Sequence, residues 1–484
     1  MLNSNAPFDG ADRLPSGSRT VASPTLSRPM VGISEENVRI AVQTGFSKLA
    51  FNAGLGMLFV RVAVVPELLV ALLHVNTYLL YVVGPPAILG AVVTGAVGRT
   101  YQHRAAWLWL GFFVCMLFSL PFSSWVGGSV GDFRLYALFS FPLLFTVGGL
   151  TVSWKDVRST FTTIGAAGVL VIFAAGLLSD ADNGRVEMTS ASQTIGNSND
   201  LASHLILVLP FLLFIAMDRR RAALIRYSII LPMGLALKII LGTASRGAVI
   251  ALIVTFLFAL FRASARQRMI AMVIAITMAV SIPIFMRGNA LERLATLAGG
   301  ENADAVNSDV NEEAKESRES RSYLLRQSIV YTFQHPIFGV GMGQFSTFEG
   351  FSAKAEGRIG NWHETHNAFT EVSSECGIPA LIFFVLGIGS AFGSVSKVYR
   401  QARREKYTEI ANTSFCFLLS LTGFVVSIIF LANAYRFYLP MMIGLAIALS
   451  AAAKREMSAG RIQEPVRPNN RTIPVPVRSR MARL

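Results

Sequence analysis

Charge is scarce in this sequence. Asp, Glu, Lys and Arg make up 15% of its 484 residues, against about a quarter in a soluble globular chain. Hydrophobic residues reach 52% and gather in long runs broken by short polar clusters. That pattern excludes an ordinary soluble domain and indicates a bundle of membrane-spanning helices, which satisfy their own backbone hydrogen bonds in lipid. Cysteine is equally thin, with three in the chain. Cys115 and Cys416 lie inside apolar runs and Cys376 near the start of another, so at most one disulfide could form, and no CxxC spacing suggests a metal. Acidic residues number 29 against 43 Lys and Arg, a formal net charge of +14. In a soluble protein that excess would suggest nucleic acid. Here the basic residues fall in short loops between apolar runs, so a nucleic-acid partner is set aside. There is no visible internal repeat.

Residues 1–38 are polar, without the apolar core of a secretory signal peptide, and read as a disordered cytoplasmic tail. Residues 454–484 form a second tail, rich in Arg. It either touches anionic lipid or simply helps fix orientation. Between the tails the apolar runs predict about twelve spans. Two share Phe51–Val97. The others are Ala105–Pro121, Leu135–Val152, Phe161–Leu178, Leu201–Met217, Ala222–Leu241, Gly247–Phe261, Met269–Phe285, Ile378–Val398, Ile410–Leu431 and Phe437–Ala453. Every even-numbered exit is basic: Arg99 and Arg104, Lys155 and Arg158, Arg219–Arg221, Arg262 to Arg268, Lys397 to Lys406, and Lys454 with Arg455. Those loops and both termini are therefore expected in the cytoplasm. The odd exits carry Asp132 and Arg134, then Asp180, Asp182 and Glu187, and are expected outside. The expected organisation is N-terminal spans over 39–233, a functional region over 234–389 containing one large external loop, 286–377, and C-terminal spans over 390–453.

That loop is far longer than a connection needs to be, which implies a function or a structure of its own. Gly299–Glu319 is polar and acidic and reads as mobile. Over Ser320–Phe333, Leu324, Leu325, Ile329, Val330 and Phe333 recur at helical spacing, predicting an amphipathic helix stopped by Pro336. The glycines of GVGMGQF, 339–345, do not fit GxGxxG and predict a tight loop approaching a ligand or a neighbouring helix. His363 and His366 in NWHETHNAF could share a helix face, but with only His335 or Glu364 as a third ligand a metal is not expected.

Three motifs in this order resemble the O-antigen ligase and polymerase superfamily. They are GTASRGA at 242–248, HPIFGVGMGQF at 335–345 following Arg321, and HNAFTEVSSECGIPAL at 366–381. The family's pattern is His-Asn, nine residues, then Gly-x-x-Gly; here His366-Asn367 precedes Gly377 at that interval, and Ala380 replaces the second glycine. GNSNDLASHL, 196–205, resembles a weaker element. The resemblance implies an all-α integral membrane glycosyltransferase of GT-C type in a bacterial inner membrane, with its active site on the periplasmic face. The implied donor is a glycan on undecaprenyl pyrophosphate. The implied acceptor is a sugar on lipid A–core or on a second lipid-linked repeat, so lipopolysaccharide and exopolysaccharide assembly both remain open. No cofactor or metal is implied.

The residues suit that chemistry. An arginine fork matches phosphate oxygens, and Arg246 lies at an outer mouth, against the bias that places Arg inside. A snorkelling interface role for Arg246 and a solvated-face role for Arg321 are the bland alternatives. A neutral His366 imidazole can take a proton from an attacking hydroxyl. Thus His366, Arg321 and Arg246 are the expected catalytic residues. Arg185, Asn367, Asn199 and Lys238 are the expected substrate contacts. Asp180-Ala181-Asp182 is read as an acidic loop rather than a metal site. The alternative function is a multi-pass transporter or flippase, which a bundle of twelve spans would also suit; it lacks the expected repeat symmetry.

Overall fold

A computed structural model describes residues 35–75, 77–180, 186–188, 195, 197–262, a few positions between 265 and 276, 308–360 and 362–463. Two compact units divide at residue 44. Of the first, only residues 35–44 are described, and they are helical. The second unit holds the apolar helices.

Seven helices among the described residues are long and apolar enough to cross a membrane, or eight if a bent pair is one span. The chain is thus an all-α, multi-pass membrane protein. The bent pair, Gly45–Val62 and Val65–Leu73, turns by 54°. It and the shorter Leu79–Val93 helix, which contains Pro85 and Pro86, occupy the stretch expected to hold the first two spans. Helices Arg104–Phe122, Val126–Leu150, Trp154–Leu178, Ser198–Met217, Ala223–Gly242, Ala368–Arg404 and Thr408–Phe430 coincide with seven of the expected spans. Arg246–Arg262 and Tyr438–Gln463 coincide with two more, the first falling just short in length and the second having its apolar run cut by Lys454 and Arg455. The expected ninth span, Met269–Phe285, lies almost wholly outside the described residues.

The bundle holds together as membrane helices do, by shape and by a few buried polar pairs. Trp109 and Phe112 pack on Phe384 at ring separations of 5.7 and 5.3 Å, joining the Arg104 and Ala368 helices. Ser203 and Ser427 hydroxyls lie 2.7 Å apart, Ser420 donates to the Leu207 carbonyl at 2.6 Å, and His204 Nδ1 pairs with the Tyr438 hydroxyl at 3.0 Å. These bonds tie three helices together, each contributing on the order of 0.6–2 kcal/mol in such a setting.

The basic exits gather at one end. Arg158 reaches Asp218 and Glu409 at 2.9 and 3.1 Å, and Arg220 reaches Glu409 at 2.6 Å. Arg455 donates to the Val152 carbonyl at 3.0 Å, and Arg403 to the Arg262 carbonyl at 3.1 Å. Exits four, six, eight, ten and twelve therefore share one face. Arg246, at the other terminus of its helix, lies on the opposite face.

Two expectations change. Asp132 and Arg134, read as loop residues, lie in the helix Val126–Leu135. The amphipathic helix runs Ser308–Gln334, so the second part of the acidic stretch is helical. Asp180 pairs with Glu187 in a two-residue antiparallel bridge.

Candidate functional site

The Ser-Arg-Gly element is a helix start. Ala244 turns the chain with φ 50°, and the Ser245 hydroxyl accepts from the Ala248 amide at 3.3 Å, capping the helix that Arg246 opens. Gly247 lets that first turn press on Phe430; a Cβ there would lie 2.8 Å from the ring's own Cβ. Arg246 is half-buried.

Arg321 shares a helix face with Leu324, Ser328 and Thr332, all three buried, which follows from their spacing of three and four. Thr332 meets Ser373 hydroxyl to hydroxyl at 2.7 Å, so this face lies on the helix that follows His366. Burial, and next the charge of Arg246, hold the Arg321 guanidinium below its ordinary value. Two cations are thus held close enough to repel.

His366 is half-buried near Arg321, with φ 53°. Burial, then the charge of Arg321 and that of His363, push its imidazole down to about 4, so it is neutral at pH 7. Thr365 is buried, and its hydroxyl donates to the Asn367 carbonyl at 3.1 Å. Asn367 Oδ1 accepts from the Phe369 and Thr370 amides at 2.9 and 3.1 Å, an N-cap that starts the next helix immediately after the histidine. Glu364 is solvent-accessible yet hemmed in by protein, as a group lining a cleft would be. That enclosure raises its carboxyl above the ordinary range, Arg436 opposes the shift, and Asp200 and Asp132 add to it.

The helix Ala368–Arg404 is broken at Gly377, φ 85° and ψ 171°. The GVGMGQF loop lies along its first half. Val340 and Gly341 amides donate to the Ser374 and Glu375 carbonyls at 2.8 and 2.9 Å, and the Glu375 carboxylate accepts from the Gly343 and Phe345 amides at 2.8 and 3.0 Å. Loop and half-helix meet backbone to backbone, as the glycines predict. Gly339 has φ +70°, and a Cβ there would lie 2.2 Å from the Glu375 carbonyl carbon. Gly357 has a similar φ, +71°, with nothing within 4 Å. Gly339→Ala is therefore expected to lower the unfolding midpoint in detergent well beyond Gly357→Ala. Both lose about 1–2 kcal/mol to left-handed strain, but only Gly339 adds overlap with backbone, roughly 1–3 kcal/mol more. Equal midpoints would contradict this packing.

Of the sequence-predicted residues, Arg246 acts on Arg321, and Arg321 acts on His366. Asn367 is engaged through its side-chain oxygen in the cap. Asn199 is half-exposed in the first turn of the Ser198–Met217 helix, its amide donating to the N-cap Asn197 at 2.9 Å. Lys238 is exposed on the helix Ile230–Gly242, and Arg185 lies outside the described residues. Among the described residues, no three His, Cys, Asp or Glu side chains converge as metal ligands would.

The sequence reading missed a buried polar set beside the histidine. Glu371 accepts from the Ala434 amide at 3.0 Å, and Asp200 accepts from Asn433 and Asn197, each at 3.1 Å. Arg436 carries enough charge nearby to act on Glu364. One signal was available: Arg436 stands in the short, otherwise uncharged exit after the eleventh span, against the same orientation bias that marks Arg246.

No curated protein matches the chain. Residues 231–385 match the family model described as O-antigen ligase, and that segment contains Arg246, Arg321 and His366. Residues 231–385, about a third of the chain, thus form a region similar to the O-antigen ligase family.

Proposed function

We propose that the protein transfers a glycan from undecaprenyl pyrophosphate to an acceptor sugar on the periplasmic face of a bacterial inner membrane. The observation that carries this reading is a run of neighbours, Arg246 acting on Arg321 and Arg321 on the neutral His366. Two cations held close together suit a dianionic ligand. The pyrophosphate is also the leaving group, so the cations stabilise charge that grows as the C1–O bond breaks. His366 takes the proton of the acceptor hydroxyl as its oxygen bonds C1 from the opposite face. Undecaprenyl pyrophosphate departs, the configuration at C1 inverts, and the chain supplies no covalent nucleophile.

Substrate would tune its own base. The Arg321 charge depresses the imidazole, and a bound pyrophosphate cancels that charge. The proton affinity of His366 then rises when the acceptor needs a base, closer to the working pH at which a general base is most effective.

The decisive experiment is purification in detergent with an undecaprenyl-pyrophosphate glycan. One arm adds lipid A–core and the other adds only more donor. Elongation in the first arm alone makes the protein a ligase; elongation in the second makes it a polymerase. Absence of transfer in both would overturn the reading. Activity is expected to persist in excess EDTA, and complete loss there would overturn the metal-free mechanism.

A further inference from the structure

Beside the motif loop is a cavity of about 790 Å³, within the size range of small-ligand pockets. Trp125, Trp362, Phe348 and Phe351 form its wall, with the hydroxyl residues Ser124 and Ser352 between them. We propose that this pocket is a glycan subsite, in which pyranose rings of the donor or acceptor chain stack on the two indoles. The proposal rests on the transferase reading and extends it to the part of the substrate away from the reacting carbon.

The two indoles are seated rather than splayed. A Cβ on Gly350 would lie 2.4 Å from the Trp362 ring, and one on Gly128 would lie 2.6 Å from the Trp125 ring. Each ring thus rests on glycine backbone, yet Trp125 is 59% and Trp362 50% exposed. One side of each ring is supported and much of the rest is open. Phe351 braces Trp362 edge to face at 5.2 Å. The Trp125 end is fixed to the motif loop: the Ser124 amide donates to the Val340 carbonyl at 2.8 Å, and Ser129 donates to the Met342 carbonyl at 2.8 Å. The Trp362 end belongs to the segment that reaches His366 four residues later.

The wall's composition selects the ligand. A sugar ring is amphipathic: its axial C–H face lies flat on an aromatic ring, and its equatorial hydroxyls need hydrogen-bond partners at the rim. Aromatic faces and serine hydroxyls supply both. An acyl chain would call for aliphatic walls, and no Leu, Ile or Val lines the cavity. An indole that merely marks the membrane boundary has no need of a glycine seat or of a second indole on the same cavity.

The test measures binding and turnover separately. Soluble oligosaccharides are released by mild acid from the lipid-linked donor and, in a second preparation, from the acceptor. Each is titrated into the detergent-solubilised wild-type protein while the heat of binding is followed by calorimetry. A saturable change with at least one of them, lost in Trp362→Ala and retained in Trp362→Phe, supports the subsite. The preparation that responds identifies which chain occupies it. In the transfer assay, Trp362→Ala and Trp125→Ala are expected to raise KM for that substrate at least tenfold, with kcat within twofold and no change for a one-sugar substrate. Absence of a saturable response to either oligosaccharide in the wild type overturns the proposal, even if transfer is intact. Quenching of indole fluorescence by brominated phospholipid that Trp362→Phe abolishes also overturns it, since lipid would then fill the pocket. If glycan binds and no transfer is found, the transferase reading fails while the subsite stands.

Discussion

His366→Ala is expected to reduce glycan transfer by roughly 10²–10⁴-fold, the usual share of a general base, while the protein still inserts and expresses. The cap that starts the following helix uses Asn367, whose bonds to Phe369 and Thr370 do not involve the imidazole, so the loss is chemical rather than structural. The pH profile sharpens the test. Burial and Arg321 hold His366 at about 4 in the empty site. The imidazole is then neutral and competent at any pH above that value, and activity is lost as pH falls through it. The acidic limb of kcat/KM, which reports the free enzyme, is expected near 4 rather than the 6.5 of an ordinary histidine. The limb of kcat, which reports the complex, is expected higher because bound pyrophosphate offsets Arg321. Transfer by His366→Ala at the wild-type rate would remove the histidine from the mechanism.

The second large effect concerns the arginine pair. Each charge-assisted bond to phosphate contributes about 1.5–3 kcal/mol, so Arg321→Ala or Arg246→Ala should each lower kcat/KM by roughly 10- to 150-fold at one lost bond. The two losses should not add, because both act on one ligand. A further signature distinguishes a site from a structural contact. Arg246 lowers the pKa of Arg321, so the pair repels in the absence of substrate. Arg321→Gln should then leave thermal stability unchanged or raised while activity falls, and it should move the acidic limb of kcat/KM upward by removing a cation beside His366. A fall in stability matching the fall in activity would mean the arginine holds the fold instead.

Much of this was legible in sequence because membrane spans declare themselves by length and apolarity. The basic exits marked their common end correctly because each carries several cations in a short loop. The close approach of the motif loop to the half-helix was legible in its glycines. The polar half-helix after His366 was not. Thr370, Glu371, Ser373, Ser374 and Glu375 read as loop, so the span was expected to begin at Ile378, yet the helix begins at Ala368 and buries most of these residues. Their polarity is satisfied by partners distant in sequence: the Gly343, Phe345 and Ala434 amides and the Thr332 hydroxyl. A hydropathy window cannot register a hydrogen bond across a fold. Asp132 was misread for the same reason. Its carboxylate lies 2.1 Å from where a Cβ on Gly343 would stand, a neighbour more than two hundred residues away in the chain.

The left-handed backbone of His366, φ 53°, has a consequence for how this site could be lost. A non-glycine residue there costs about 1–2 kcal/mol, held in place by the buried Thr365 and the Asn367 cap. The fold would therefore be easier to satisfy with glycine at the one position where the proposed chemistry requires imidazole. A chain drifting toward stability alone would shed its proposed base first and keep its architecture, leaving a well-folded bundle without the proposed reaction.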